Sequence, residues 1–501
     1  MSSRARALPV FVIAFCGAAL AAAAAPPAFD DAPRVVVEPG AAREWRDEIL
    51  YFAMTDRFFD GDATNDRDVK QGDKGAFHGG DWRGLTRKLG YLSQLGVTAL
   101  WISPVVEQIN HPVTGAGFPD WAYHGYWAED FTRAEPRFGT EAELRALVDA
   151  AHGLGIKVLV DVVLNHPGYG SHFVTDGAMV RSTELGTCGA TDDDLLKCLS
   201  GLPDFKTEDP KVAEQLEAWQ LAWIERTGCD GFRVDTVKHV GHDVWRDFAR
   251  RAKAIRPDFF LLGEVWGATM HEDFASEYLG DQIDTLFDFG FNGEVEGFLL
   301  ERGRPVAFGR FLQARHRFPK RQVLAHYLDT HDVPTMYTRL GGDRRKMVLA
   351  ATLQLTSIGI PVITWGNEVG RKGGVWPENR SDMPWGKAQD TTLLATYRRL
   401  IELRRAHPAL SRGGYTTLAT SDDALAYLRS EGPDAVIVAV NRGKKPAALT
   451  LALPADAPTR WRDALAKNPA ALIANEGKLA VTVPPVEALV LEPAPTAPEK
   501  N

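Results

Sequence analysis

Cysteine is scarce in this chain, at four among 501 residues, and neither a second cysteine pair nor a closely spaced histidine pair accompanies them. That excludes a structural zinc site of the usual Cys/His type. Positive charge is not in excess either: the formal charge is −9, which gives no basis for a nucleic-acid or anionic-membrane partner. No internal repeat is present. What remains is the composition of a soluble globular protein, 45% hydrophobic and 25% charged, with enough length for more than one average domain. Thirteen Trp and eleven Tyr supply flat, amphipathic rings, most of them for the core and some available as sugar-stacking platforms.

The N-terminus reads as a targeting segment. Arg4 and Arg6 precede an apolar run from Leu8 to about Leu20, and an alanine tract to Ala25 offers small-residue cleavage sites. The run is too short and too alanine-rich for a comfortable membrane span, so a cleaved signal peptide over 1–25 is expected, followed by a linker over 26–44. Phe15 before Cys16 argues against a lipoprotein signal. In an oxidising compartment Cys188 and Cys198, which flank a short polar loop, are expected to pair. Closing so short a ring contributes somewhat less than the roughly 3 kcal/mol of a longer loop. Cys229 is left as a small buried residue.

From about residue 45 to 400, short apolar runs alternate with amphipathic helical stretches. The runs are Ile49–Met54, Val97–Ile102, Lys157–Val163, Gly231–Val234, Phe259–Gly263, Thr285–Phe289, Val323–Leu328 and Ile360–Trp365. Near-continuous apolar strands belong to a parallel sheet buried on both faces, and eight of them with intervening helices predict a closed α/β barrel, the (β/α)8 or TIM fold. Thr140 with Glu143 forms a capping box, and Asp209 before Pro210 marks another helix start. Residues 45–165 and 206–407 are assigned to the barrel. An insertion after the third strand, 166–205, is rich in Gly, Ser, Thr and Asp and holds the cysteine pair. Beyond Pro408 short alternating strands predict a C-terminal antiparallel β-sandwich over 408–493, with a disordered tail at 494–501.

In such a barrel, function gathers at the C-terminal ends of the strands. Asp161, Asn165 and His166 close the third strand, Arg233 and Asp235 the fourth, Glu264 the fifth, and His331 with Asp332 follows the seventh. Three carboxylates converging on one mouth are equipment for glycoside hydrolysis: a nucleophile, an acid/base and a stabiliser of developing positive charge.

The segments that carry these residues resemble the four signatures of the α-amylase family of glycoside hydrolases: Asp161-Val-Val-Leu-Asn-His166, Gly231-Phe-Arg-Val-Asp-Thr-Val-Lys-His239, Gly263-Glu-Val-Trp266 and Leu328-Asp-Thr-His-Asp332. Supporting stretches lie at Gly96–Pro104, His124–Trp127, Leu202–Phe205 and Gly366–Glu368. The resemblance implies Asp235 as nucleophile, Glu264 as general acid and then base, and Asp332 as the residue that binds sugar hydroxyls and distorts the ring. Arg233 would hold Asp235 ionised, Asp161 would support Arg233, and His124, His166 and His331 would bind the sugar. Lys238 and His239 would serve the acceptor side. The fourth signature commonly has Asn where this chain has Thr330.

The resemblance also implies calcium, one or two ions. Asp60, Asp62, Asn65, Asp66 and Asp81, with the Gly79 carbonyl, resemble a calcium loop near the first strand. Asn165, Asp204 and the His239 carbonyl resemble a second site between barrel and insertion. Lys238-His239 is similar to α-amylases and cyclodextrin glucanotransferases, whereas Pro377-Glu-Asn-Arg380 with Met383-Pro-Trp385 is more like the neopullulanase and maltogenic group. The expected activity is retaining, endo-type hydrolysis of α-1,4 bonds in starch, maltodextrins or related α-glucans, by a monomer exported to the periplasm or medium, with no membrane partner after cleavage. The alternatives are a cyclomaltodextrinase or maltogenic amylase, a transglycosylase with the same triad, and an inactive glucan-binding relative.

Overall fold

The computed structural model describes residues 43–114, 117–267, 277–317 and 323–495. The expected signal peptide, nearly all of the linker and nearly all of the tail lie outside the described residues. Eight parallel strands close into a barrel: β1 Leu50–Ala53, β2 Ala99–Ile102, β3 Lys157–Val162, β4 Gly231–Val234, β5 Phe260–Gly263, β6 Thr285–Asp288, β7 Ala325–Tyr327 and β8 Ile360–Thr364. They neighbour one another in chain order, and β8 closes on β1 with Leu50 opposite Val362. Each coincides with one of the apolar runs in the sequence, because both faces of a barrel strand are covered, inside by other strands and outside by helices. All four residues of β1, β2, β4 and β5 are buried.

The helices between strands start and stop where local chemistry directs. Trp82–Leu95 is capped by Asp81, whose side chain accepts from the Gly84 amide, and it buries Leu85, Leu89 and Leu92 at helical spacing. It ends at Gly96, whose φ of 95° is the left-handed conformation that glycine adopts without a Cβ clash. The Thr140/Glu143 capping box opens Glu141–Gly153, and Asp209 with Pro210 opens Pro210–Thr227, which buries Val212, Leu216 and Trp223.

After β3 the chain leaves the barrel for the insertion. Its regular structure is slight: Val180–Arg181 pairs antiparallel with Asp204–Phe205, and a Cys188–Cys198 disulfide closes the loop between them. Cys229 is a buried free thiol just before β4. The C-terminal domain is an antiparallel sandwich. One six-stranded sheet runs in the order Gly414–Thr420, Ala424–Glu431, Asp434–Asn441, Glu487–Pro493, Arg460–Asp463, Leu472–Ile473, and Ala447–Ala452 pairs with Lys478–Val483 as the second layer. Ala426, Leu428, Ile437 and Ala439 from the first layer share a core with Leu449, Leu451, Leu479 and Val481 from the second. Two buried arginines secure the joint to the barrel: Arg404 donates to the carbonyls of Leu355, Ser357, Gly359 and Leu410, and Arg429 to those of Thr356, Gly413 and Gly414.

Candidate active site

Parallel strands bring their C-terminal ends to one rim, and the residues singled out in the sequence meet there. Asp161 lies within β3, Arg233 within β4, Asp235 directly after β4 and Glu264 directly after β5. Thr236, next to Asp235, takes φ 46°, a strained left-handed turn for a β-branched residue. That turn ends the strand and aims the Thr236 amide at Glu264 Oε2, 3.2 Å away.

A single guanidinium organises the centre. Arg233 Nη1 donates to Asp235 Oδ1 at 2.7 Å and to Asp161 Oδ1 at 3.1 Å, while Nη2 lies 3.0 Å from Glu264 Oε2. Asp161 is itself fixed by Trp101 Nε1 at 3.1 Å and the Tyr126 hydroxyl at 2.6 Å, both donating to Oδ2. Three carboxyls thus surround one buried positive charge, so they cannot all be ionised at neutral pH without leaving uncompensated negative charge. The structure divides them. Burial works to raise the Asp235 carboxyl, but the charge of Arg233 and hydrogen bonds from Arg233 and Glu264 together hold it below the usual carboxylate range. Burial raises Glu264 to about 8, and the nearby Asp235 and Asp332 charges push it the same way against Arg233. One carboxyl is held as an anion and its neighbour as an acid.

Around this pair stand neutral imidazoles. Burial depresses His124 and His166, and takes His331 down to about 3. His331 stacks on Tyr126, centroids 5.1 Å apart, and sits 3.4 Å from Asp332 Oδ2. Asp332 is less enclosed than the other two carboxylates, with its side chain 30% exposed. The loop after β8 grips this corner: Asn379 Nδ2 and Arg380 Nε both donate to the His331 carbonyl, and Arg380 Nη2 reaches Asp332 Oδ1 at 3.3 Å. The Pro377–Arg380 motif was visible in the sequence without a role; its contact with Asp332 is supplied by the fold. Trp266, two residues after Glu264, is 47% exposed and packs on Phe289, a large ring left open at the mouth.

Lys238 and His239 lie in a single helical turn, Val237–His239, which follows Asp235 and Thr236. Asp194 of the insertion meets both: its Oδ2 is 3.2 Å from Lys238 Nζ and its backbone carbonyl is 2.8 Å from His239 Nδ1. No motif in the sequence pointed to Asp194. On the barrel side of His239, the Asn165 side-chain amide lies 3.1 Å from the His239 carbonyl oxygen and 3.2 Å from Asp204 Oδ1. Turned one way, its nitrogen donates to both. Turned the other, three oxygens converge, an arrangement that a cation satisfies. Arg181 Nη1 occupies the far oxygen of Asp204 at 2.9 Å.

The acidic loop after β1 folds back against Gly79 and Asp81. Buried oxygens of Asn65 (Oδ1) and Asp66 (Oδ1) have no hydrogen-bond partner there. Burial raises the Asp66 carboxyl, and the charges of Asp60 and Asp62 raise it further. Gly79, at φ 93°, leaves a space that a Cβ would fill at 2.7 Å from Asp66 Oδ1. Unpartnered oxygens and repelling carboxylates around a backbone cradle fit a hard cation. The Asp62 carboxylate departs from the expected ligand set: it turns outward to Thr64 and Arg83. The Asp81 oxygens accept from the amides of Gly61, Asp62 and Gly84.

The chain matches the family model for the α-amylase catalytic domain over residues 52–183 and 193–385, and that for the maltogenic amylase C-terminal domain over 415–490. A cyclomaltodextrinase of a Bacillus species is 33% identical over 426 residues, 80% of this chain and 73% of that protein. Neopullulanase 2 of Thermoactinomyces vulgaris is 31% identical over 481 residues, covering 89% of this chain and 78% of the relative. Among solved structures an Anoxybacillus α-amylase superposes with a TM-score of 0.79 at 30% identity, over 91% of this chain and all of the other.

Proposed function

The chain belongs to the α-amylase family of glycoside hydrolases, and from that premise we propose that it cleaves α-1,4-glucosidic bonds of cyclodextrins and soluble maltodextrins with retention of configuration. The observation that carries this reading is the pair of carboxyls on one guanidinium: Arg233 favours the ionised form of Asp235, while burial and the charges of Asp235 and Asp332 keep the proton on Glu264 against Arg233. Asp235 attacks the anomeric carbon while Glu264 gives its proton to the departing glucosyl oxygen. Glu264, now a base, takes a proton from water, which releases the sugar from Asp235. An inverting pair keeps its carboxyls about 6.5–9.5 Å apart to admit water between them; here one guanidinium touches both, Asp235 at 2.7 Å and Glu264 at 3.0 Å, which favours the closer pair of double displacement. Asp332 and the neutral His331, His166 and His124 bind the sugar hydroxyls.

The preference for cyclodextrins and short maltodextrins over starch rests on the relatives and on the sequence around Arg380. A cyclomaltodextrinase, a neopullulanase and a maltogenic C-terminal domain are among the likenesses. This replaces the general endo-amylase reading as the main one. Calcium is proposed at the Asp60–Asp66 loop, held by Asp60, Asn65, Asp66 and the Gly79 carbonyl, where it stabilises the turn that leads to the Trp82–Leu95 helix. A second ion is proposed among Asn165, Asp204 and the His239 carbonyl. Export is supported by the leader read in residues 1–25 and by the disulfide.

Chromatography of the products from β-cyclodextrin and from soluble starch, with wild type beside Asp235→Asn, tests the assignment. Faster opening of the cyclodextrin to linear maltooligosaccharides, lost in the variant, is expected. Starch cleaved faster than cyclodextrin restores the endo-amylase reading, and no product from either substrate rejects hydrolysis of these glucans.

A further inference from the structure

We propose that Asp194 is a positioning residue for the acceptor half of the cleft, held in place by the Cys188–Cys198 ring, and that it sets how the glycosyl intermediate partitions between water and a sugar acceptor. The inference rests on the retaining hydrolase reading above.

The segment Thr236–His239 belongs to the acid/base side of the site. Its Thr236 amide contacts Glu264 Oε2 and its Val237 amide donates to the Glu264 carbonyl at 2.9 Å. Glu264 is the group that protonates the leaving sugar and later deprotonates what replaces it. The space beside Glu264 is therefore where one sugar departs and where water or a second sugar enters. Lys238 is the next residue of that segment, and its ammonium reaches Asp194 of the insertion. Its ammonium, partly exposed, is the donor in this segment suited to a sugar hydroxyl, and its direction decides whether an acceptor finds a partner there.

Asp194 fixes that direction twice over. Its carboxylate pairs with Lys238 Nζ at 3.2 Å, and its main-chain carbonyl bonds the neighbouring His239 ring at 2.8 Å. Lys197 meets the same carboxylate from the other side. Asp194 itself sits on weakly built chain. The residues around it lie in no helix or strand, Leu195 and Leu196 are 39% and 38% exposed, and the local bonds are short-range turns such as Leu195 to Asp193. Little apolar burial holds this loop in place, and the disulfide across its base restricts it.

The test uses p-nitrophenyl α-maltoside as donor and added maltose as acceptor, with p-nitrophenol release and transfer products measured together. Asp194→Asn should lower the ratio of transfer to hydrolysis about threefold, the size expected for a partly exposed ion pair. Donor kcat should stay within about twofold of wild type. Asp194→Glu should restore the ratio. The double variant Cys188→Ser/Cys198→Ser should lower it as Asp194→Asn does, with no further fall when the two are combined. An unchanged ratio in Asp194→Asn, or a fall that Asp194→Glu does not reverse and that follows the melting temperature, overturns the inference while leaving the hydrolase reading intact. No p-nitrophenol release from wild type overturns both.

Discussion

Arg233 reaches Asp235 through Nη1 at 2.7 Å and Glu264 through Nη2 at 3.0 Å, so one guanidinium touches both working carboxyls. The outcome differs because the surroundings differ. Asp235 adds a hydrogen bond from Glu264 to the attraction of Arg233, whereas Glu264 faces the like charges of Asp235 and Asp332. The proposed nucleophile and acid are thus separated by environment, with the same kind of side chain in both positions.

Removing either carboxyl should be costly in a distinguishable way. Asp235→Asn should lose at least ~10³-fold in kcat, on the order seen when a nucleophile is deleted. Glu264→Gln should lose as much on maltodextrins but far less on an aryl maltoside, whose leaving group needs no proton. Equal losses of Glu264→Gln on both substrates would place acid catalysis elsewhere.

The pH profile of kcat/KM should be bell-shaped, with an alkaline limb near 8 as Glu264 loses its proton and an acid limb below the usual carboxylate range, where Asp235 gains one. Stability is linked to the same group. Because folding raises Glu264 from 4.5 to about 8, its contribution is complete below the unfolded value and is lost as pH rises through about 8. Glu264→Gln, neutral throughout, should therefore melt above wild type at about pH 9 but not at about pH 4. Calorimetry across that range checks the sign.

Chelation should lower the melting temperature and added calcium should restore it. At a hundredfold excess over Kd one bound ion is worth about 2.7 kcal/mol. Asp66→Ala should remove the response of the Asp60–Asp66 loop, leaving only what the Asn165–Asp204 junction contributes. A melting temperature indifferent to chelator in wild type rejects calcium at both places.

The thiol of Cys229 is buried and pushed up to about 12 by burial, so a thiol reagent should leave it unmodified in the native enzyme and label it only on unfolding. Peptide mapping after brief labelling reads this directly. The Cys188–Cys198 ring, with a sequence separation of 10, should contribute at most about 3 kcal/mol on loop closure. Its reduction should loosen the insertion before the barrel unfolds.

The barrel strands were legible because burial on both faces demands runs such as Lys157–Val162 and Ile360–Thr364, and such runs stand out from the amphipathic helices between them. The C-terminal domain was less legible. Gly414–Thr420 and Arg460–Asp463 have few buried residues and weak alternation, so their strand character comes from partners across the sheet. The outward turn of Asp62 was equally hidden, since a run of acidic residues does not reveal which carboxylates face inward.

Residue order by itself determined which groups gather at the rim where the chemistry is proposed. Asp235, Glu264, Asp332, Arg233, His166 and His331 each end a strand or follow one within a few residues, and in a parallel barrel every strand end arrives at the same rim; His124 comes from the long loop after the second strand. Their distribution of charge was decided only by the tertiary structure. Asp235 and Glu264 are both carboxyls on the same rim, and their protonation depends on distances to Arg233, to each other and to Asp332 that no spacing in the chain encodes. The same holds for Arg380 on Asp332 and Asp194 on Lys238. Each joins residues more than forty positions apart in the sequence, and only packing of the loops around the mouth brings them into contact.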